Sequence, residues 1–92
     1  MPRPCKMRRI GFSPHVKAFK PVGVPGAQLD VIQLNIDELE AIRLADYEGL
    51  YQEEAAQKMQ ISRQTFGNII NSAHKKISQC LIDGKMLSIE EN

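Results

Sequence analysis

A chain of 92 residues with 42% apolar residues predicts one small domain that has a compact core but no deep active-site cleft. At this length folding buries only about 60% of the surface of the unfolded chain. No apolar run approaches the roughly 18 residues of a membrane helix, and none follows the basic N-terminus as in a signal peptide. We therefore expect a cytoplasmic protein without a membrane partner.

The net charge of +1 conceals two basic stretches around an acidic middle. Residues 1–20 hold six basic residues and no acid, and residues 61–80 hold three basic residues and no acid. Residues 21–60, by contrast, hold eight acids against two basic residues. Such separation indicates that one face of the fold meets a polyanion, although a solvated basic tail explains the charge equally well.

The first segment, residues 1–34, is predicted to be a basic, proline-rich arm. All five prolines fall in it, and because proline lacks an amide proton and fixes its backbone, a long helix is excluded there. We expect an extended arm held to the core by Phe12, Val16 and Phe19. A short strand is predicted over 29–34, where β-branched residues favour extended structure.

The second segment, residues 35–84, contains three predicted helices. The first covers about 36–48, because Asn35 and Glu38 form a capping-box pattern and a glycine follows its end. The second covers about 52–59 and carries its acids in the first turn, where the helix dipole favours negative charge.

The third helix is predicted from Ser62 to about Ile82, with one buried face. Its apolar residues recur at steps of three and four: Phe66, Ile69, Ile70, Ala73, Ile77 and Leu81. Residues 85–92 form the last segment, a C-terminal tail with a short strand-like stretch.

Only three residues, 60–62, separate the second helix from the third, so the two must cross steeply to share one core. That is the helix-turn-helix arrangement, whose protruding second helix fits the major groove of duplex DNA. Gln60 stands in the turn where glycine is commoner, so we expect local backbone strain at this residue.

The outward side of the third helix carries amides, one arginine and no acid, whereas an ordinary solvated helix face is rich in glutamate and lysine. Arginine pairs with guanine, and asparagine or glutamine with adenine, through two hydrogen bonds each, while lysine suits phosphates. We therefore predict a sequence-specific contact with double-stranded DNA. The predicted residues are Arg63, Gln64, Thr65, Gly67, Asn68, Asn71, Lys75 and Lys76.

Two resemblances support this interpretation. Region four of bacterial sigma factors, which reads promoter DNA, resembles the run LNIDELEAIRLADYEGLYQEEAAQKMQISRQTFGNIINSAHKKI, chiefly in EEAA and ISRQTF. The whole chain, with MPRPCKMRRIGF, FKPVG and the tail after DGK, resembles the uncharacterised protein family 0251, a prokaryotic group of predicted DNA-binding proteins. Together the two resemblances imply a mainly α fold of the sigma-region-four helix-turn-helix type and a role in transcription regulation. Tyr51 departs from the usual serine or threonine cap of such modules.

The arm carries its own signal. The stretch PRPCK resembles half of an AT-hook, in which an arginine lies in a narrow minor groove. A basic arm beside a groove-reading helix is a known pairing of roles. We predict that the arm contacts the minor groove or phosphates through Arg3, Lys6, Arg8 and Arg9, with a disordered tail as the alternative.

Neither an enzyme, a metal site nor a cofactor is predicted. His74 and Cys80 lie about 120° apart around the third helix, so they cannot share a metal ion without other ligands. Neither Cys5 nor Cys80 has metal-like or redox-like spacing, which predicts two free thiols. His15 lies in the proline-rich arm, where the sequence shows no orienting acid.

One recognition helix reads only a few base pairs, so we expect a homodimer or higher homo-oligomer, with 29–34 and the tail as candidate pairing strands. The alternative function is a protein-interaction module that docks to RNA polymerase or another partner. It would use an acidic helix surface made of Glu38, Glu40, Glu48, Glu53 and Glu54.

Overall fold

Three helices and a small three-stranded sheet make up the computed structural model, which describes residues 10–11 and 17–90. The prediction of a mainly helical fold with three helices is confirmed. In chain order the elements are β1 (Ala18–Phe19), a 3-10 turn (Gly26–Gln28), β2 (Val31–Asn35), α1 (Ile36–Ile42), a π-helical turn (Arg43–Tyr47), α2 (Gln52–Met59), α3 (Arg63–Asp83) and β3 (Met86–Glu90).

The sheet brings the arm and the tail together. Its central strand is β3, which pairs antiparallel with β1 and parallel with β2. Leu34 on β2 lies opposite Ile89 on β3, and both side chains are buried against the helices. The strand-like tail is therefore confirmed, but at Leu87 and Ser88 both of its edges are paired within the chain.

The first helix ends differently from the prediction. Glu38 accepts a hydrogen bond from the backbone N–H of Asn35 at 2.8 Å, which starts α1 as its capping pattern predicts. After Ile42, however, the helix widens into the π-helical turn, where Glu48 N–H donates to Arg43 O at 2.8 Å. The turn leaves Leu44 buried in the core.

The core lies where α1, α2 and the first half of α3 meet. Its buried residues are Ala41, Leu44, Ala55, Ala56, Met59, Phe66 and Ile70. Alanine at three of these positions leaves little side chain between the helices, so their backbones approach closely. This packing fixes the direction in which α3 leaves the core.

The predicted buried face is buried only at Phe66, Ile70 and Ala73; Ile69 and Ile77 are half-buried, and its last residue is exposed. Leu81 is 76% exposed. The physical reason is length: α3 has 21 residues and spans about 31 Å, whereas α1 and α2, with 7 and 8 residues, span only about 11–12 Å each. The covering helices end before the last turn of α3, and Ala73 is its last buried residue.

The corner between α2 and α3 has the strain that the sequence predicts. Gln60 adopts a left-handed backbone with φ 59°, the only positive φ of a non-glycine residue in the described part of the chain. Ser62 then caps α3, since its Oγ accepts from the backbone N–H of Thr65 at 3.0 Å. No helix within the described residues is long and apolar enough to cross a membrane.

Candidate nucleic-acid interface

The exposed side of α3 gathers most of the predicted contact residues in one place. Opposite the buried Phe66 and Ile70, the helix presents a shallow pocket to solvent. The pocket is lined by Gln52, Arg63, Gln64, Gly67, Asn68 and Asn71. We call this set the α3 face, and Lys75 continues it one turn further along the helix.

Gln52 is the member of the α3 face that sequence reasoning missed. It is the first residue of α2, and the corner brings it over the first turns of α3. A Cβ at Gly67 would lie 3.4 Å from Gln52 Oε1, an ordinary van der Waals distance, so the amide of Gln52 stands next to the backbone of α3 at this glycine. No local sequence signal marks Gln52, because its place on the α3 face depends on how the corner packs α2 against α3.

The polar groups of the α3 face are available to a partner. Among the described residues no hydrogen bond uses the side chains of Gln64, Asn68 or Asn71. Within the same residues Arg63 and Lys75 form no ion pair. Two cations and three amides therefore face solvent with their donors and acceptors unused.

A second shallow pocket adjoins the α3 face at the start of α2. Tyr51, Gln52 and Glu53 line it together with Arg63. Tyr51 precedes α2 without a side-chain cap, as its departure from serine or threonine predicts, and its ring is exposed. Tyr51 and Arg63 thus border the same pocket.

Two predicted contact residues have partners within the fold. Lys76 Nζ donates to Glu38 Oε1 and to Gln33 O, both at 2.8 Å, and so links α3 to α1 and β2. Thr65 is half-buried, and its Oγ1 accepts from Ser62 Oγ at 2.8 Å within the cap of α3. These contacts account for both side chains without DNA.

The predicted acidic docking surface does not exist as one patch, because two of its five members are buried. Glu38 is 4% exposed, and Glu40 is 2% exposed. Burial raises the pKa of Glu38, but hydrogen bonds from Lys76, Ser72 and the backbone of Asn35 outweigh it and hold the pKa below its usual value. Glu48, Glu53 and Glu54 remain exposed.

The groups considered for catalysis lie apart from the α3 face. His74 Nε2 lies 2.7 Å from Asp46 Oδ2 at the surface. Cys80 is a free, half-buried cysteine, and burial raises the pKa of its thiol, which keeps it protonated at neutral pH. Within the described ranges, no three His, Cys, Asp or Glu side chains are grouped so that they could hold a metal ion.

The predicted arm contacts lie outside the described residues. They are Arg3, Lys6, Arg8 and Arg9, and the same holds for Phe12, Val16, Cys5 and His15. The nearest described residue on the arm with a fixed contact is Gly11, whose backbone N–H donates to Glu40 Oε2 at 2.9 Å.

Comparison with known proteins gives matches over nearly the whole chain. The family model "Protein of unknown function DUF134" matches residues 1–92. A UPF0251 protein of Prosthecochloris aestuarii is 53% identical over 88 residues, which are 96% of this chain and 57% of that protein. One from Vibrio vulnificus is 55% identical over 89 residues, covering 97% of this chain and 89% of the relative.

A third relative, the UPF0251 protein of Chlorobaculum tepidum, is 54% identical over 90 residues, 98% of this chain and 46% of its own length. The chain therefore spans about half the length of the Prosthecochloris and Chlorobaculum relatives and most of the Vibrio relative. No solved structure matches the chain.

Proposed function

We propose that this chain, which belongs to the family of unknown function DUF134, binds double-stranded DNA in a sequence-specific manner and regulates transcription. Its UPF0251 relatives confirm the resemblance to the uncharacterised protein family 0251 that the sequence suggested. The observation that carries the proposal is the α3 face, on which unpaired amides and cations stand together on the exposed side of a capped helix.

The corner supplies the geometry that this function needs. We assign α2, the turn through Gln60 and Ser62, and α3 to a helix-turn-helix of the sigma-region-four type. In such motifs the first helix crosses the DNA backbone, and the second lies in the major groove with its N-terminal residues at the base edges. Arg63 and Gln64 occupy that N-terminal position in α3.

Each residue of the α3 face has a role that follows from its donors and acceptors. The guanidinium of Arg63 pairs with O6 and N7 of guanine, and the amides of Asn68 and Gln64 pair with N6 and N7 of adenine. Lys75, three turns into the helix, meets a phosphate and adds affinity without reading sequence. Gln52 approaches the same bases from α2.

We further propose that the chain acts as a homo-oligomer, most simply a dimer. A single recognition helix covers only a few base pairs, and two copies related by symmetry double the site that is read. Among the described strands β2 has one neighbour, β3, and the last turn of α3 exposes Leu81 and Ile82. Leu81 and Ile82 form the surface that we expect a second copy to cover, and the free edge of β2 is the second candidate.

Selection of bound sequences from a random duplex pool tests the proposal directly. We expect an enriched motif, for which Arg63→Ala and Asn68→Ala each lower discrimination against random DNA by about 1–3 kcal/mol. Lys75→Ala should lower the affinity for the selected and the random duplexes equally, because phosphate contacts are independent of sequence. Gln28→Ala, an exposed amide far from α3 in sequence, is the matched control.

The test also separates the alternative function. Absence of any gel shift, at low salt and at high salt, would contradict DNA binding and favour a protein-interaction module. Equal losses for all three variants on selected and random duplexes would contradict base reading by α3 while leaving non-specific binding possible.

A further inference from the structure

A part-buried ion pair at the root of the N-terminal arm has no part in the α3 face. Arg43 donates two hydrogen bonds to Glu40 on α1, from Nε to Oε1 at 2.8 Å and from Nη2 to Oε2 at 3.0 Å. The backbone N–H of Gly11, 29 residues earlier, donates to the same Oε2 at 2.9 Å. The carboxylate of Glu40 therefore binds the arm to α1.

A side chain at Gly11 would collide with this ion pair. A Cβ there would lie 2.6 Å from Arg43 Nη2 and 3.1 Å from Glu40 Oε2, so any other residue must displace the guanidinium. Displacing the guanidinium would break its two hydrogen bonds to Glu40, which raise the pKa of Arg43, and would move Nη1 from its position 3.4 Å from Glu48 Oε2. We call Gly11, Glu40 and Arg43 the arm lock.

The arm lock lies on the side of α1 that meets α2. Its three residues line a shallow pocket with Gln57 and Lys58, both exposed on α2. In the proposed binding mode α2 is the helix that crosses the DNA backbone. The arm is thus bound to the protein beside the helix that we assign to cross the DNA backbone.

We propose that the arm lock is a positioning device, which places the root of the basic arm beside α2 so that the arm meets the same DNA that α3 reads. The four basic residues of the arm precede Gly11 by two to eight positions in the sequence. The next contact point of the arm in the described residues is Lys17, whose carbonyl accepts from Ile89 N–H at 2.8 Å.

The advantage of the lock is entropic. A basic segment whose root is fixed near the duplex is present there at high effective concentration, so it loses less freedom when it binds phosphates. The inference rests on the proposed function, because a root beside α2 is useful only if α2 and α3 meet DNA.

The decisive experiment combines two changes in the full chain. Gly11→Ala breaks the lock, and replacement of Arg3, Lys6, Arg8 and Arg9 by glutamine neutralises the arm. Affinity for the selected duplex is measured over a salt series for wild type, each variant and the combination. Gly26→Ala is the matched control, because a Cβ there would lie at an ordinary 3.8 Å from Met86 Sδ.

We expect Gly11→Ala to lower affinity about three- to tenfold and to flatten the dependence of log affinity on log salt, since fewer phosphates are neutralised. In the neutral-arm chain the same substitution should have no effect on affinity. An equal loss in both backgrounds would show that the lock only stabilises the fold, and an unchanged affinity in the wild-type background would also overturn the proposal.

A second variant covers the case in which Gly11→Ala does not fold. Insertion of Gly-Ser-Gly-Ser between Arg9 and Ile10 leaves the lock and the core unchanged but moves the basic residues away from the root. We expect a similar loss of affinity, and unchanged binding would overturn the proposal. Wild type that binds no duplex refutes the proposed function and with it the lock's role. If wild type binds DNA but the neutral-arm chain binds it with the same affinity, the lock's role is refuted while the proposed function stands.

Discussion

At the scale of single residues, Glu38 shows how one buried carboxylate joins three elements. Ser72 Oγ donates to Glu38 Oε2 at 2.6 Å, and Lys76 Nζ and Asn35 N–H donate to Oε1, both at 2.8 Å. Through these donors Glu38 starts α1, binds it to α3 and, by way of Lys76, holds β2. A buried charge with so many donors stabilises the fold only while it remains ionised.

This charge predicts acid sensitivity. Because the pKa of Glu38 is lower in the folded chain than its usual 4.5, the unfolded chain takes up the proton first as pH falls. The contribution of Glu38 is therefore complete above pH 4.5 and is lost between that pH and the folded pKa. We expect Glu38→Gln to cost about 1–3 kcal/mol at pH 7 and to flatten the fall in stability below pH 4.5.

This prediction is tested by measuring the free energy of unfolding in urea from pH 3 to pH 7, with circular dichroism as the signal. Glu54→Gln, on the exposed side of α2, is the control and should change stability by less than about 0.5 kcal/mol. If Glu38→Gln followed the wild-type stability in parallel at every pH, the assigned ionisation would be wrong.

Gly67 provides a second prediction, in which stability and binding change in opposite directions. Gly67→Ala should stabilise the chain by up to about 1 kcal/mol, because alanine is the better helix former. The new methyl group would make an ordinary contact with Gln52 Oε1, at 3.4 Å, but it would project from the α3 face toward the bound duplex, so we expect DNA affinity to fall. Thermal melting and a binding titration on the same sample test both halves. Gln79→Ala, on a later turn of α3, should change neither by a comparable amount.

At the scale of elements, the sequence specifies the corner well. The cap at Ser62 and the apolar spacing predict α3 within one residue of its observed bounds, and α2 is observed as predicted, at Gln52–Met59. These signals are local, because a cap and its helix lie within a few residues of each other. The strain at Gln60 was predictable for the same reason.

The parts that the sequence does not predict depend on distant partners. Glu38 and Glu40 carry the same side chain as the exposed acids, and their burial follows from donors 29 to 38 residues away, such as Gly11 and Lys76. The π-helical turn after Ile42 likewise depends on packing: Leu50 N–H donates to Leu44 O at 3.0 Å only because Leu44 is held in the core. Periodicity contains no information about either.

The corner yields a prediction of its own. A left-handed backbone costs a residue other than glycine about 1–2 kcal/mol, and glycine loses more entropy on folding, so Gln60→Gly should stabilise the chain by a net amount below about 1 kcal/mol. Gln57→Gly, three residues earlier in α2, should instead destabilise it by about 1 kcal/mol. Urea midpoints of the two variants must move in opposite directions; a shift of both to lower urea would refute the strain at Gln60.

At the scale of the whole molecule, the α3 face and the uncovered end of α3 lie far apart. Ile82 follows Gln64 by 18 residues, or about 27 Å along the helix axis. One end can therefore contact DNA while the other contacts a second copy. Ile82 is 83% exposed beside Leu81, an exposure of two large apolar side chains that a partner would cover.

We therefore expect light scattering at micromolar concentration to give twice the mass of one chain, and Ile82→Glu to give the mass of a monomer. A buried glutamate without a partner in the interface opposes association, whereas in the monomer the same side chain faces water. Circular dichroism of the variant should be unchanged, since position 82 is exposed on α3. Its affinity for a two-half-site duplex should fall while its affinity for a single half-site stays that of wild type, because only pairing of the two recognition helices is lost.

Tyr47→Glu, an equally exposed position on the π-helical turn, is the control and should leave the mass unchanged. Wild type that scatters as a monomer would contradict the dimer, and an unchanged dimer for Ile82→Glu would place the interface elsewhere, with the free edge of β2 as the next surface to test.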